Sequence, residues 1–112
     1  MAEDRLAESK KRTAKWDKDE WDDVKNQGDT THKALAKAID EGLAPDSDEV
    51  QKIIQQHFDL QSRFYTLTKD VYIGLASLYK EHPDFKKFFD AYHPDMIEFL
   101  GEAIRYYANK HL

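Results

Sequence analysis

The sequence has no cysteine, no long apolar run and no dense cluster of basic residues. The missing cysteine excludes disulfides, thiolate nucleophiles and thiol-rich zinc sites. A membrane-spanning helix needs about 20 consecutive apolar residues, so we expect a soluble, cytoplasmic protein without a membrane partner. Seventeen Lys and Arg against 22 Asp and Glu give a net charge of −5. With both signs mixed along the chain, it should bind nucleic acid poorly by itself.

Motifs for catalysis and metal binding are also missing. No two of the five histidines stand three to five residues apart, the spacing that brings two imidazoles to one metal ion. The sequence contains no glycine-rich phosphate loop and no serine nucleophile motif. We therefore expect no enzyme activity, no metal and no cofactor. His57 falls on an apolar helical seam, and its role stays open between a core hydrogen bond and contact with a ligand.

Apolar residues recur at a spacing of three and four along most of the chain, and none alternate with a period of two. This pattern predicts one all-α domain, a compact bundle of four or five helices joined by short loops. Residues 1–15 are dominated by charge, and we expect them to form a flexible N-terminal arm. Residues 16–112 form the helical domain.

Local signals predict where several helices begin and end. Asp17 with Glu20 resembles a capping box, and Gly42 is a typical helix stop. Asp46 with Glu49 suggests a second start. The seam that follows runs from residue 50 to residue 78, which is long for one helix, so we expect a break near residues 61–63. His82 and His93 each precede a proline, as at helix N-termini.

The segment from residue 57 to residue 85 carries two apolar faces. One has the spacing of a core seam, and its members are Phe64, Leu67, Val71, Leu75 and Leu78. The other repeats every seventh residue, and its members are Phe58, Tyr65, Tyr72 and Tyr79. A helix needs one apolar stripe to pack on a core, so the tyrosine face requires another partner, either a helix or a ligand. We expect Tyr79, Phe85 and Phe89 to lie in the core.

Four segments in fixed order resemble the TipAS antibiotic-recognition domain, the drug-binding C-terminal half of MerR-type bacterial transcription activators. The segments are Phe64-Tyr65-Thr66-Leu67, Leu75-Ala76-Ser77-Leu78-Tyr79, His82-Pro83-Asp84-Phe85 and the run from Pro94 to Ile104. With upstream matches that include Trp21 and His57, the resemblance spans about residues 8–104. It implies a globin-like helical fold and a ligand cleft beside the tyrosine-bearing helix.

The resemblance also implies a mode of binding. The family cysteine that captures thiopeptides falls on Leu67, and the family histidine five residues later falls on Tyr72. Binding must therefore be noncovalent. The residues that the resemblance assigns to the ligand are Trp21, His57, Tyr65, Leu67, Thr68 and Tyr72. The N-terminal arm should order over the ligand and close on Tyr65 and Tyr72, using Leu6, Arg12 and Trp16.

The leading hypothesis is an effector-sensing domain of a MerR-type regulator that binds hydrophobic or aromatic, antibiotic-like small molecules. DNA would be a partner only through a separate N-terminal domain. The second hypothesis is a free-standing protein that sequesters drugs. The third is a helical module that binds a partner helix through its aromatic face. We expect the isolated domain to be a monomer.

Overall fold

The computed structural model describes the backbone of residues 2–112 and the side chains of residues 7–112. Its helices are α1 (Ala2–Thr13), α2 (Lys18–Asp40), α3 (Asp48–Gln61), α4 (Lys69–Glu81), α5 (Pro83–Asp90) and α6 (Met96–His111). Residues 2–112 contain no strand, which confirms the all-α prediction. None of the helices in this part of the chain is long and apolar enough to cross a membrane.

Residues 16–112 contain five helices, α2 to α6, as predicted, and the N-terminal arm adds a helix of its own, α1. Most residues of α1 are good helix formers such as Ala, Glu, Lys and Arg. Its last turn carries Lys10, Lys11 and Arg12, which favour the negative end of the helix dipole. Of the α1 side chains that the structure describes, residues 7–13, all are exposed or half-buried. The flexibility of residues 1–15 stays a prediction.

The helix boundaries follow the local signals with one correction. Asp17 caps α2 by accepting a hydrogen bond from the backbone amide of Glu20 at 2.9 Å. Gly42 follows α2 with a φ of 75°, the left-handed conformation that ends helices. The cap of α3 is Ser47 rather than Asp46. The hydroxyl of Ser47 reaches the amide of Val50, because the chain enters α3 one residue later than the acidic pattern predicted.

The long seam breaks where expected, since α3 ends at Gln61 and α4 begins at Lys69. Residues 62–68 form the connection, which we call the α3–α4 loop. Thr68 ends this loop and caps α4 by accepting a hydrogen bond from the amide of Val71 at 3.3 Å. The loop carries Phe64 and Tyr65 away from the helical seam, so their surroundings differ from those of the α4 residues.

The core lies between α4 and α6, with α2 and α3 packed against them. On α4 the buried residues are Tyr72, Leu75, Ala76 and Tyr79, whereas Leu78 is 40% exposed. Tyr72 and Tyr79 of the tyrosine face thus lie in the core. The partner that this face required is provided by other helices of the same protein. Tyr72 is fully buried and packs edge-on against Phe58 and Tyr107.

Candidate ligand-binding site

Two adjoining clefts open beside this core. The first, the histidine cleft, has a volume of about 440 Å³ and lies between α2, α3 and the end of α5. Its wall combines apolar and aromatic side chains with two imidazoles and several polar groups. The lining includes Gly28, His32, His57, Leu60, Phe64 and Phe88, together with the polar residues Lys25, Asn26, Asp29, Thr31 and Gln61.

The second, the aromatic cleft, has a volume of about 520 Å³ and lies between the α3–α4 loop, α4 and α5. Its principal lining residues are Tyr65, Leu75, Tyr79, Phe85, Phe88 and Phe89. His32, Gln61 and Phe88 line both clefts. The shared wall makes them two lobes of one binding surface, and their volumes lie in the range of small-molecule sites.

His57 reaches the histidine cleft from α3 while remaining 99% buried, at 1% exposure. Its Nδ1 lies 2.8 Å from the hydroxyl oxygen of Tyr72 in the core. Burial, together with the nearby charge of His32, lowers the pKa of His57 to about 3. Burial also raises the pKa of Tyr72. Both groups are therefore neutral at pH 7.

His32 stands at the junction of the two clefts, 9% exposed. Aromatic rings surround it, with centroid distances of 5.5 Å to Phe88, 5.2 Å to Phe89 and 5.1 Å to Tyr92. Burial lowers the pKa of His32 to about 4, against the opposing charge of Asp29. This imidazole is also neutral at pH 7.

A hydrogen bond joins Tyr92 and Asp29, two polar residues in the wall of the histidine cleft. The Tyr92 hydroxyl donates to Asp29 Oδ1 at 2.7 Å, and Lys33 Nζ lies 2.9 Å from Asp29 Oδ2. Burial raises the pKa of Tyr92 to about 12, and the hydrogen bond to the carboxylate contributes. The hydrogen bonds from Lys33 and Tyr92 lower the pKa of Asp29. Tyr92 thereby connects the turn after α5 to α2.

Only two of the six residues assigned to the ligand line these clefts. His57 lies in the histidine cleft and Tyr65 in the aromatic cleft. Leu67 and Tyr72 are buried, at 7% and 0% exposure, and Thr68 is the cap of α4. None of these three is in the cleft walls, and Tyr72 is absent because α4 turns its tyrosine face inward.

Trp21 is 44% exposed and belongs to an outer aromatic cluster. Its ring centroid lies 5.0 Å from that of Trp16 and 6.2 Å from that of Phe64. Because Phe64 also lines the histidine cleft, this cluster adjoins the mouth of the cleft. Trp21 is thus next to the candidate site rather than in its wall.

The sequence reasoning missed His32, Phe88 and Tyr92. A signal for His32 was available, since it follows Gly28 by four residues and so shares its helix face. No comparable sequence signal marked Phe88, which follows an apolar pattern together with Phe89. Adjacent residues on a helix point to different faces, so the two differ in exposure. Phe89 is 2% exposed in the core while Phe88 is 49% exposed at both clefts.

The model of the TipAS antibiotic-recognition domain matches residues 1–107 of the chain. This protein belongs to the TipAS family. A solved structure of TipAS from Streptomyces lividans, described as bound to nosiheptide within a thiopeptide antibiotic multidrug resistance system, superposes with a TM-score of 0.87. That likeness has 22% sequence identity and covers 96% of this chain and 76% of the TipAS chain.

Curated relatives are regulators. The HTH-type transcriptional regulator SkgA, from two strains of Caulobacter vibrioides (NA1000 / CB15N and ATCC 19089), is 31% identical over 106 residues. The match covers 93% of this chain but 42% of each SkgA protein. This TipAS-family chain therefore spans about two fifths of the length of those relatives.

Proposed function

We propose that this domain binds flat aromatic, antibiotic-like small molecules noncovalently and acts as the effector-sensing domain of a MerR-type transcriptional regulator. The observation that carries the proposal is the pair of adjoining clefts, walled by aromatic rings around two neutral histidines. Concave sites with mostly apolar walls and a few polar groups are typical of small-molecule binding.

The chemistry of the walls supports the noncovalent mode. The chain has no cysteine, and Leu67, where the family resemblance implies one, is buried at 7% exposure. Affinity must come from stacking on rings such as Phe88 and Tyr65 and from displacing water from apolar surface. Walls of this kind favour ring size and shape over a single chemical structure.

The regulatory role is supported by the relatives rather than by the clefts. The family is named for antibiotic recognition, and the SkgA relatives are transcriptional regulators. We propose that DNA contact belongs to a separate domain of the regulator, that the protein acts in the cytoplasm, and that the isolated domain is a monomer. Sedimentation at micromolar concentration tests the last point, since a tight dimer would favour a protein-interaction module.

A thermal-shift screen with nosiheptide and a panel of aromatic antibiotics and dyes tests the binding function. A ligand present at 100 times its dissociation constant stabilises the fold by roughly 2.7 kcal/mol. Any stabilising compound should lose affinity in Phe88→Ala. The matched control is Tyr106→Ala, another exposed aromatic residue on α6 at 38% exposure. Equal affinity in both variants would show that the compound binds elsewhere.

Intact mass spectrometry after incubation with nosiheptide tests the binding mode. We expect the mass of the unmodified chain, because no thiol is available for addition. A stable adduct at any residue would contradict the noncovalent mechanism while leaving a binding function in place.

A further inference from the structure

One buried nitrogen in the wall of the histidine cleft has no partner. His57 Nε2 is shielded from solvent and forms no hydrogen bond with any residue that the structure describes. The other ring nitrogen, Nδ1, is occupied by Tyr72 at 2.8 Å. Buried polar atoms are nearly always hydrogen-bonded, so an orphaned one at a cleft is a reason to look for a ligand.

The Tyr72 contact determines which nitrogen carries the proton. The Tyr72 hydroxyl is fully buried, and His57 Nδ1 is the acceptor that the described residues offer it. If the hydroxyl donates to Nδ1, the single proton of the neutral ring is on Nε2. The opposite arrangement would leave a hydroxyl proton buried without an acceptor, which carries a desolvation penalty.

The position of the ring directs this N–H group. Tyr72 lies in the core and outside the walls of both clefts. Nε2 is across the ring from Nδ1 and therefore turned away from Tyr72, and His57 itself forms part of the cleft wall. The contact with Tyr72 thus leaves the Nε2 side of the ring facing away from Tyr72, in a residue that lines the cleft.

His32 provides a second and more adaptable polar point. Its Nδ1 is also buried without a partner among the described residues, and its ring centroid lies 6.4 Å from that of His57. Because no hydrogen bond to a described residue fixes its tautomer, this imidazole can donate or accept. The two histidines together present one fixed donor and one adjustable group between aromatic rings.

We propose that the histidine cleft selects flat aromatic ligands that carry a hydrogen-bond acceptor, a carbonyl oxygen or a ring nitrogen, and that His57 Nε2–H is the donor. This inference rests on the proposed small-molecule function and specifies its ligand class. A hydrogen bond made in a buried site discriminates strongly against analogues that lack the group. Tyr72 is a positioning residue, since it acts on the ligand through His57.

Three two-ring probes separate acceptor recognition from general apolar binding. Quinoline carries an acceptor, indole carries a donor, and naphthalene carries neither. Dissociation constants at pH 7.5 are measured by NMR titration for the natural chain and for His57→Phe. We expect the preference for quinoline over naphthalene to fall by about five- to tenfold in His57→Phe, the value of one hydrogen bond. Taking the ratio removes the intrinsic difference in hydrophobicity between the probes.

The matched control is His111→Phe, since His111 is an exposed residue at the end of α6. It should leave the quinoline preference unchanged. The ratio for indole over naphthalene should not change in His57→Phe. Binding of all three probes with the same ratios in His57→Phe would overturn the donor assignment and leave the proposed function standing. Failure of every probe to bind would overturn both.

A second measurement does not depend on the folding of a variant. Spectra of the natural chain with 15N-labelled histidine report the tautomer of His57 directly. We expect the Nε2–H tautomer, with Nε2 and its proton shifted by quinoline and not by naphthalene. A proton on Nδ1, or cleft binding of quinoline without a change at Nε2, would refute the proposal.

Discussion

Two regions of this protein are rich in aromatic residues, but one is buried and the other is open to solvent. On the core face of α4, Tyr72 and Tyr79 are 0% and 6% exposed and packed against α6 and α5 neighbours. At the histidine cleft, Phe88 is 49% exposed and two imidazole nitrogens lack partners among the described residues. Aromatic content alone therefore does not mark a ligand site. What distinguishes the histidine cleft from the core is open surface together with unsatisfied polar atoms.

The largest expected effect is a difference in the free energy of unfolding between a substitution in the core and one at the cleft. Tyr72→Ala should lower the free energy of unfolding by about 3–5 kcal/mol, because it leaves a cavity in the core and removes the partner of His57. Phe88→Ala should cost about 1 kcal/mol or less, since half of that side chain is already exposed. Urea denaturation of both variants measures the difference. Similar losses would mean that the cleft wall is part of the core.

Lowering the pH should affect the histidine cleft selectively. The pKa values of His57 and His32 in the folded protein are about 3 and about 4, below the ordinary value of about 6.5. The unfolded chain therefore binds protons first, and stability falls as the pH drops below about 6.5 toward 4. We expect a loss on the order of 2 kcal/mol per histidine at pH 5.

Urea denaturation between pH 7 and pH 5 measures this loss. The slope should decrease in His32→Gln and in His57→Gln, and it should persist in His111→Gln. A flat stability profile over this range in the natural chain would contradict the low pKa values.

A smaller effect is expected at Gly28, where one substitution should raise stability and weaken ligand binding. Gly28 lies inside α2, where Ala is more favourable by up to about 1 kcal/mol. A Cβ there would meet Leu60 Cδ2 at 3.7 Å, an ordinary contact, so the space can hold an alanine. Because Gly28 and Leu60 line the histidine cleft, Gly28→Ala should raise the melting temperature and weaken quinoline binding. Tighter binding by this variant would argue against the cleft as the site.

The smallest effect on stability concerns the attachment of α1. Arg12 donates to the carbonyl of Ser62 at 2.7 Å and to Thr66 Oγ1 at 2.8 Å, and Glu8 accepts from the Thr66 amide at 2.6 Å. These bonds are exposed, so Arg12→Gln should cost well under about 1 kcal/mol. It should nevertheless speed amide exchange in α1. Unchanged exchange would mean that other contacts hold the helix.

The same exchange experiment tests whether the arm orders over a ligand. We predict slower exchange of residues 4–15 when a tight ligand binds. In the structure Arg12 reaches the α3–α4 loop and Trp16 packs on Trp21, while the Leu6 side chain lies outside the described residues. Closure on Tyr72 would require that residue to leave the core. Equal, fast exchange with and without ligand would rule out a lid.

The sequence by itself determined the features that depend on neighbours along the chain. The all-α class, the cap at Asp17, the stop at Gly42 and the break after Gln61 all follow from residues within a few positions of each other. Helix caps and spacing are local in origin, so a single sequence predicts them. The family resemblance also came from the order of short segments, and the match of the TipAS family model to residues 1–107 confirms it.

Only the tertiary structure decided how much of each face of α4 is buried and where the clefts open. Both faces have helical apolar spacing, yet Leu75 is buried while Leu78 on the same face is 40% exposed, because burial depends on α6, about 30 residues away in the sequence. The histidine cleft likewise joins His32 to His57 and Phe88, which lie on three helices. Long-range packing sets such contacts, so Tyr72 became a core residue and His32 a candidate ligand residue.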